Sequence, residues 1–354
     1  MGPRLVFDRA RIERNVRALA DAARSARVTA LFAAKSFPHP EVRAIAGAHL
    51  DGFDAASAQE VRELPPARVL SIVDPSGRAI DAADGWTGRL IVGCETPEQV
   101  RAAPAHAEIA IRISASLTAR DPAVGAVLDG SGHRRSRFGL DVDREQRRAQ
   151  LRAMIAAAAG RPVGVHVHHG PVTATSAERF VATARAMLAI AADAELVPRF
   201  LDLGGAWHGI TELPRALVDV RAQVPDGIEL IIEPGRLLTE GAGFARGSVI
   251  VARELDDRPL RVLDLSRVCH LRWSQVELVA PAPHPGQGRR ALFVGPTCFE
   301  DDVVGEWTIT PEKLGAGEPV VLRGVSGYAV AWNTSFGGVP AAEVVIGDAN
   351  RLLE

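Results

Sequence analysis

The hydrophobic positions of this 354-residue chain follow one pattern up to about residue 241 and another pattern beyond it. In the first part, continuous apolar runs alternate with segments of helical periodicity, as expected for parallel strands covered on both faces. The predicted strands are 28–34, 50–56, 67–73, 89–93, 108–113, 163–168, 199–205 and 228–233, and the predicted helices include 40–48, 57–64, 145–159 and 176–194. Eight such units indicate an α/β fold, a (β/α)8 TIM-type barrel. An open doubly wound sheet is the alternative, which periodicity alone does not exclude.

Beyond residue 241 the helical periodicity fades, and short β-rich runs are separated by turn signals such as PAPHPGQG. Strands are predicted at 247–255, 259–265, 275–280, 291–295, 318–324 and 328–332. This pattern is typical of an antiparallel β domain. We therefore expect a barrel domain over residues 9–241 and a C-terminal antiparallel β domain over 242–354, which the opening strand in residues 1–8 joins.

Composition narrows the class of protein. Hydrophobic residues make up 47% of the chain, and the net charge of −2 argues against broad nucleic-acid binding. The N-terminal segment lacks the apolar region of a signal peptide, and no apolar run approaches the roughly 18 residues of a membrane span. The three cysteines show no Cys-x-x-Cys spacing. Free thiols in a reducing compartment predict a cytoplasmic protein with neither a nucleic-acid nor a membrane partner.

Polar residues stand where the predicted barrel strands end. These residues are Lys35, Asp54, Arg112, His168, Gly204, Gly205, Glu233 and Arg236. The carboxyl ends of barrel strands share one face, which is where the active sites of such barrels lie. A random scatter of polar residues would not produce this placement, so the sequence predicts a functional site on that face.

The residue types at this face suit an aldehyde cofactor. A lysine amine can form a Schiff base once its pKa is lowered by the pocket, so Lys35 is the candidate. Glu233 can pair with a protonated pyridine nitrogen. The Gly204–Gly205 turn lets backbone N–H groups approach a phosphate. Each feature also has an ordinary interpretation, because a lysine at a strand end is often solvated and Gly-Gly is often a simple turn.

A metal site is the alternative for the histidines. Strand alternation puts His166 and His168 on the same face, whereas His169 points away. The sequence offers no convincing third ligand beside them, and a zinc site needs at least three protein ligands. No metal is therefore expected.

Taken in order, these segments resemble the fold-type III pyridoxal-phosphate decarboxylases, the group of the ornithine, diaminopimelate and carboxynorspermidine decarboxylases. The motifs that carry the resemblance are LFAAKSF, GFDAASAQEV, SRFGL, VHVHHG, LDLGGAW, IIEPGR, GPTCFEDD and SGYAVAWNTSFGG. The resemblance implies pyridoxal 5'-phosphate as the cofactor and Lys35 as its Schiff-base lysine. It makes His168 the ring-stacking histidine and pairs Glu233 with the ring nitrogen. The cofactor's surroundings would include Asp54, Glu60, Arg112, Gly204, Gly205, Gly235, Arg236 and Tyr328.

The resemblance also assigns roles to the β domain. Cys298 and Asp302 would serve the active site of the neighbouring subunit, which implies a homodimer with shared active sites. Cys298 would be catalytic, returning a proton to the substrate carbon after carbon dioxide leaves. Phe299 and Arg137, together with Asp302, would contact the amino-acid substrate.

This chain departs from the family pattern at several positions. Pro171 replaces a serine that contacts the phosphate in the family, and Thr173 or Ser176 are candidates to substitute for it. The third glycine of the phosphate loop is Ala206. Phe299 stands where the ornithine and diaminopimelate enzymes carry an acidic residue, which argues against both of those substrates. Residues 262–271, VLDLSRVCHL, resemble a segment of the carboxynorspermidine enzymes.

The function expected is pyridoxal-phosphate-dependent decarboxylation of an amino acid. The acidic cluster at 300–302 predicts a substrate with a distal cationic or amino group, either carboxynorspermidine-like or another diamino acid. One alternative is an amino-acid racemase on the same barrel, but alanine racemases place an arginine at the ring nitrogen, where this chain has Glu233. A second alternative is a non-catalytic regulatory homologue, although Lys35 and Cys298 are both retained.

Overall fold

A computed structural model of the protein describes residues 2–115, 138–140, 145–168, 177–283, 288–310, 314–349 and 351. The chain divides into two compact units. The β unit comprises Met1–Asn15, Ser36–His39 and Leu238–Glu354, and the barrel unit comprises Val16–Lys35 and Pro40–Leu237. Each unit is described by itself below.

The chain opens with strand β1 (Arg4–Asp8) and helix α1 (Arg9–Ala26). The buried residues of α1 recur at Ile12, Val16, Leu19 and Ala23, three or four residues apart. This spacing puts them on one face of the helix, which is the face that packs against the protein interior. The amphipathic pattern is therefore what makes this segment helical.

Eight parallel strands form the closed barrel predicted from the sequence. They are β2 (Val28–Ala33), β3 (Gly52–Ala55), β4 (Val69–Ile72), β5 (Arg89–Cys94), β6 (Glu108–Arg112), β7 (Val163–His166), β8 (Phe200–Asp202) and β9 (Glu229–Ile232). Each strand pairs with the next, and β9 closes the barrel on β2 through the register Val28 to Leu230. A closed barrel excludes the open doubly wound sheet.

The barrel interior is packed rather than hollow. One cluster of buried side chains draws on six of the eight strands, namely Leu31, Val69, Ile91, Ala110, Phe200 and Ile231. Such layers of inward-pointing side chains fill the interior of this barrel class, so the polar groups are confined to the strand ends.

Helices lie between the strands at the predicted places. They are α2 (Pro40–His49), α3 (Ala58–Glu63), α4 (Pro97–Ala102), α5 (Glu145–Ala157), α6 (Glu178–Asp193) and α7 (Leu213–Arg221). Ser57 begins α3, because its hydroxyl accepts a hydrogen bond from the Glu60 N–H at 3.2 Å. No helix in the described ranges is both long enough and apolar enough to cross a membrane.

The β unit contains β1 and seven further strands, joined in the order β12-β15-β10-β11-β13-β14, with β1 pairing both β10 and β16. These strands are β10 (Gly243–Leu255), β11 (Arg258–Leu263), β12 (Glu277–Ala280), β13 (Arg289–Val294), β14 (Val303–Ile309), β15 (Pro319–Arg323) and β16 (Glu343–Gly347). Most pairings are antiparallel, as predicted. Two are parallel, β1 with β16 and β11 with β13, so the sheet is mixed.

The strand predicted at 328–332 is wrong, because Tyr328–Ala331 forms a short helix, α8. The Ala329 and Val330 N–H groups donate to the carbonyl groups of Ser326 and Gly327, which turns the backbone instead of extending it. Five apolar residues fit a helical turn as well as a strand, so the pattern could not separate the two.

Candidate active site

The amine of Lys35 lies at the carboxyl end of β2, in a short 3-10 turn over Ala34–Ser36. Its Nζ makes an ion pair with Asp54, which lies in the neighbouring strand β3 and is fully buried. The second oxygen of that carboxylate, Asp54 Oδ1, is buried and has no hydrogen-bond partner among the described residues. One oxygen of Asp54 therefore fixes the position of the amine, and the other is able to accept a hydrogen bond from a ligand.

Glu60 adds a second carboxyl group near this pair. It accepts the Ala56 N–H at 2.8 Å. Burial raises its pKa, against the opposing effect of the Ala56 N–H and of the nearby Lys35 charge. Glu60 thus belongs to the electrostatic surroundings of the lysine, where the sequence analysis expected it.

Two further carboxyl groups, those of Asp202 and Glu233, lie at the same end of the barrel. Asp202 ends β8 and Glu233 follows β9, and both are at least 98% buried, with 1% and 2% of their surface exposed. Burial raises the pKa of Asp202 to about 7, and burial followed by the charge of Asp202 raises the pKa of Glu233 well above its usual range. Because two adjacent buried carboxylates cannot easily both ionise, the pair holds a proton in the free protein.

Few groups satisfy this carboxyl pair. The Gly204 N–H donates to Asp202 Oδ1 at 2.8 Å, and the Ser71 hydroxyl lies 3.4 Å from Glu233 Oε1. His166 Nε2 lies 3.7 Å from Glu233 Oε2. Buried carboxyl groups are normally well hydrogen-bonded, so Glu233 is available to a cationic ligand.

Two of the three histidines of the VHVHHG segment, His166 and His168, lie at this end of the barrel. His166 is buried, and neither of its ring nitrogens has a hydrogen-bond partner in the described part of the chain. Burial, followed by the charges of Arg112, His168 and Lys35, lowers the pKa of His166 well below 6.5, so the ring is neutral. His168 Nδ1 accepts the Gly205 N–H at 3.2 Å, which fixes its ring beside the glycine turn.

The sequence analysis found no third candidate ligand beside the two histidines, and the structure brings one to them, whereas the expectation that no metal binds stays a prediction. Glu233 joins His166 and His168, and one ligand atom from each lies within 4.8 Å of the others. The three residues could therefore hold an ion. The sequence did not reveal this because Glu233 is 65 positions from His168 and approaches it only when β9 closes the barrel.

The glycine turn follows β8. Gly204 has a φ of 63°, a left-handed conformation that glycine adopts without strain. A side chain at Gly204 would also collide with His168, since a Cβ there would lie 2.7 Å from Nδ1. Ala206 is left-handed as well, with a φ of 67°. Left-handed residues in such turns gather backbone N–H groups into anion-binding concavities.

Arginines flank the site at two points. Arg112 ends β6, with its Nη1 3.5 Å from Glu95 Oε1 and its guanidinium 4.4 Å from the centre of the Phe138 ring. Arg236 opens the 3-10 turn over Arg236–Thr239, directly after the buried Gly235. Burial, followed by the charges of Arg236 and Arg179, lowers the pKa of His208 to about 4. The phosphate end of the site is therefore rich in positive charge.

The remaining predicted residues lie in the β unit. Cys298 and Phe299 are exposed in the loop between β13 and β14, whereas Asp302 of the same loop is buried. Tyr328 begins α8, and its ring packs edge-on against Trp273 with centroids 5.1 Å apart. Their roles at an active site stay predictions. Arg137, His169, Pro171, Thr173 and Ser176 lie outside the described residues.

Three residues of the site escaped the sequence analysis, namely Ser71, Asp202 and Arg179. Asp202 stands in the quoted segment LDLGGAW and ends a strand, so the strand-end rule that selected the other residues would have found it. Ser71 and Glu233 are 162 positions apart, and only barrel closure brings them together.

The residues fit pyridoxal 5'-phosphate. Lys35 offers an amine for an aldehyde, and Glu233 offers a buried carboxyl group for a ring nitrogen. The absent side chain of Gly205 leaves a cradle, because a Cβ there would lie 3.0 Å from the Glu233 carbonyl oxygen and 3.1 Å from His168 Cε1. Buried polar atoms without partners in the described ranges, Asp54 Oδ1 and the His166 nitrogens, could form hydrogen bonds with a polar ligand.

Comparison with known proteins gives no matching family model. Among curated proteins, an ornithine decarboxylase of Schizosaccharomyces pombe is 25% identical over 178 residues, covering 43% of this chain and 40% of the relative. A diaminopimelate decarboxylase of Vibrio cholerae is 24% identical over 332 residues, covering 85% of this chain and 76% of the relative. The match to the ornithine enzyme thus spans less than half of that protein.

Solved structures show the same fold. A lysine/ornithine decarboxylase of Vibrio vulnificus in complex with cadaverine superposes with a TM-score of 0.78 at 20% identity, covering 97% of this chain and 94% of that one. A lysine decarboxylase of Selenomonas ruminantium in complex with pyridoxal phosphate and cadaverine gives a TM-score of 0.74 at 20% identity, covering 99% and 93%. The chain is therefore a homologue of the ornithine and diaminopimelate decarboxylases, with the architecture of the fold-type III pyridoxal-phosphate-dependent decarboxylases.

Proposed function

We propose that this protein decarboxylates an amino acid with pyridoxal 5'-phosphate bound at the carboxyl end of its barrel. The observation that carries the proposal is that an amine and a buried carboxyl group lie at that end, near enough for the charge of Lys35 to act on the pKa of Glu233. Asp54 holds the amine of Lys35, and a buried carboxyl group with a strongly raised pKa, Glu233, lies beside β9. When bound, the cofactor supplies an aldehyde for an amine and a ring that withdraws electrons from the substrate carbon.

The chain's own residues prepare this chemistry. Asp54 holds Lys35 Nζ at one position, so the amine does not have to be ordered when a carbonyl group arrives. The proton shared by Glu233 and Asp202 is retained because of burial. A cation beside Glu233 favours the ionised carboxylate and reverses that preference. His168 is fixed by the Gly205 N–H, which sets its ring orientation at the face of the site.

We further propose that Cys298 returns the proton to the substrate carbon in the active site of a partner copy. This follows the family resemblance of GPTCFEDD and implies a homodimer. An exposed cysteine in a loop is compatible with that role, since a thiol must reach solvent or a partner to transfer a proton. Tyr328 is assigned to the phosphate on the same resemblance.

The proposed substrate is an amino acid with a distal amino group. Glu300 and Asp301 are exposed beside Cys298, and such acidic side chains favour a cation nearby. The relatives named above are ornithine, diaminopimelate and lysine/ornithine decarboxylases, whose names all refer to diamino acids. Phe299 argues against ornithine and diaminopimelate themselves, so a different diamino acid, carboxynorspermidine included, is the expected substrate.

The test is a panel of diamino, carboxynorspermidine-type, dicarboxylic and neutral amino acids with the purified protein and added cofactor. Carbon dioxide release is measured together with the chirality of the remaining amino acid. We expect release from a diamino acid with no inversion, and inversion without release would indicate the racemase. Equal rates on cationic and neutral substrates would contradict the distal amino group.

The regulatory alternative needs its own control. A Lys35→Ala variant removes the only amine that the proposal assigns to the cofactor, so carbon dioxide release should vanish. If the variant keeps the protein's biological effect in cells, the non-catalytic interpretation replaces the enzyme.

A further inference from the structure

Arg179, near the start of α6, carries a buried guanidinium group beside the glycine turn. Only 2% of its surface is exposed. Its Nη2 donates to the Ala206 carbonyl oxygen at 2.6 Å, which ties it to the glycine turn. Its Nε and Nη1 are buried and have no hydrogen-bond partner among the described residues. Two donor nitrogens of a charged group are thus unsatisfied within reach of the turn.

The packing around Arg179 holds the guanidinium in place. It lies 4.5 Å from the centre of the Phe180 ring, and Phe180 stacks on Trp207 with centroids 3.7 Å apart. The Trp207 indole donates to the Gly204 carbonyl oxygen at 2.9 Å. The helix residue and the turn are therefore joined by a hydrogen bond and by an aromatic stack.

The electrostatics of this region call for an anion. Burial, followed by the charges of Arg236 and Arg179, lowers the pKa of His208, so its ring is neutral and carries no charge that competes with an anion. Burial lowers the pKa of Arg179 itself to about 10. A buried cation without a counter-charge is costly, and a bound anion removes that cost.

We infer that Arg179 is a phosphate-binding residue of the cofactor site, forming a second guanidinium contact beside Arg236 at the glycine turn. This rests on the proposed function, because the phosphate is that of pyridoxal 5'-phosphate. A guanidinium already anchored by one N–H of Nη2 still carries N–H donors on Nε and Nη1, and an oxygen of a phosphate can accept from either of them. The arginine also provides what Pro171 lacks, namely a donor in place of a hydroxyl group.

The experiment compares Arg179→Gln with wild type and with Arg185→Gln. Arg185 is an exposed arginine of the same helix that donates to Gln223, so it controls for the loss of one positive charge. Three probes are titrated, namely pyridoxal 5'-phosphate, pyridoxal without phosphate, and inorganic phosphate. Binding of the first two is followed by absorbance, and binding of the third by the shift in melting temperature of the apoprotein.

We expect Arg179→Gln to weaken binding of pyridoxal 5'-phosphate by about 10- to 100-fold, as for the loss of a charged hydrogen bond. Binding of pyridoxal should change by less than about twofold, and the phosphate-induced thermal shift should disappear. Arg185→Gln should behave as wild type. Arg179→Lys should recover part of the phosphate affinity because it keeps the charge.

Two results would overturn the inference. If Arg179→Gln weakens both pyridoxal forms equally, the arginine only supports the fold. If it weakens neither, the arginine does not touch the phosphate. A wild-type protein that binds no pyridoxal 5'-phosphate contradicts the proposed function instead, and the inorganic-phosphate titration then decides alone whether Arg179 holds an anion.

Discussion

Two buried acidic residues, one in each unit, are treated in opposite ways. Asp302 in the β unit is 2% exposed, and its carboxylate accepts hydrogen bonds from the Ser266 and Thr297 hydroxyls and from the Arg267 N–H. Glu233 in the barrel unit is equally buried, yet its described side-chain neighbours are the Ser71 hydroxyl at 3.4 Å, the His166 ring at 3.7 Å and the carboxyl group of Asp202. Asp302 is satisfied by its own loop, whereas Glu233 is left available to a ligand.

The environment of Asp302 explains how the Cys298 loop keeps its shape. A Cβ at Gly295 would lie 2.1 Å from Asp302 Oδ2, so only glycine leaves room for the carboxylate. Ser266 also caps the backbone N–H of Cys269 at 2.9 Å, and its own N–H donates to His270 Nδ1 at 3.0 Å. The segment VLDLSRVCHL thus holds the loop in place through the hydrogen bonds that Ser266 and Arg267 donate to Asp302. The exposed acids of that loop are Glu300 and Asp301.

The largest effect should come from Glu233→Gln. Glutamine cannot supply a negative charge to a ring nitrogen, so carbon dioxide release should fall by about 10²- to 10³-fold, the range for losing one preorganised electrostatic group. Stability should change little or rise, because the amide removes a buried ionisable group. Turnover and urea unfolding of the same preparation measure both. Full activity in this variant would contradict the role of Glu233.

Asp302→Asn should lower the stability of the protein, whereas Glu233→Gln should lower its activity. An amide in place of a carboxylate that accepts several hydrogen bonds should reduce the free energy of unfolding by about 2–3 kcal/mol. Asp301→Asn, the exposed neighbour, is the control and should cost less than about 0.5 kcal/mol. Urea unfolding measures both variants. An unchanged midpoint for Asp302→Asn would mean that the loop does not depend on this carboxylate.

A smaller effect is expected in how the free energy of unfolding of the apoprotein depends on pH. Burial raises the pKa of Asp202 from 3.8 to about 7, and burial followed by the charge of Asp202 raises that of Glu233 well above its usual range. Their protonated forms favour the folded state, so this contribution is complete below about pH 4 and is lost as the pH rises through 7. The slope is about 1.4 kcal/mol per pH unit for one proton.

A comparison of wild type with Glu233→Gln isolates the contribution of the Glu233 proton to the free energy of unfolding. Between pH 5 and 8 wild type should lose more stability than the variant, because glutamine has no carboxyl proton to lose, whereas the buried Glu233 must give up its proton as the pH rises. His166, whose pKa is lowered, acts in the opposite direction in both proteins and cancels in the difference. Thermal unfolding at matched ionic strength checks this, and parallel curves would contradict the shared proton.

The sequence predicted the barrel well because buried parallel strands leave continuous apolar runs, which most of the eight barrel strands do. It missed β14 and β16 because their residues are partly exposed and leave no such run. Strand-end placement identified Lys35 and Glu233 for the same reason that the barrel was predictable. Contacts across the barrel, such as Ser71 with Glu233, form only when the barrel closes, so they could not be predicted from the sequence.

Arg179 shows a different limit. It lies in ERFVATARAML, where its charge looks like the solvated side of an amphipathic helix. Its burial against Ala206 and Phe180 appears only when α6 packs beside the glycine turn. A residue on a covering helix thus gives no strand-end signal, even when it lies at the site.

The central claim is that the Lys35 amine bonds the cofactor while Glu233 lies at the opposite end of its ring. The most direct measurement is borohydride reduction of the purified protein with pyridoxal 5'-phosphate, followed by peptide mass spectrometry. We predict one phosphopyridoxyl adduct on Lys35, the single lysine of the segment LFAAKSF, and none in Lys35→Ala. Stoichiometric labelling of another residue, or no labelling of the wild type, would contradict the account.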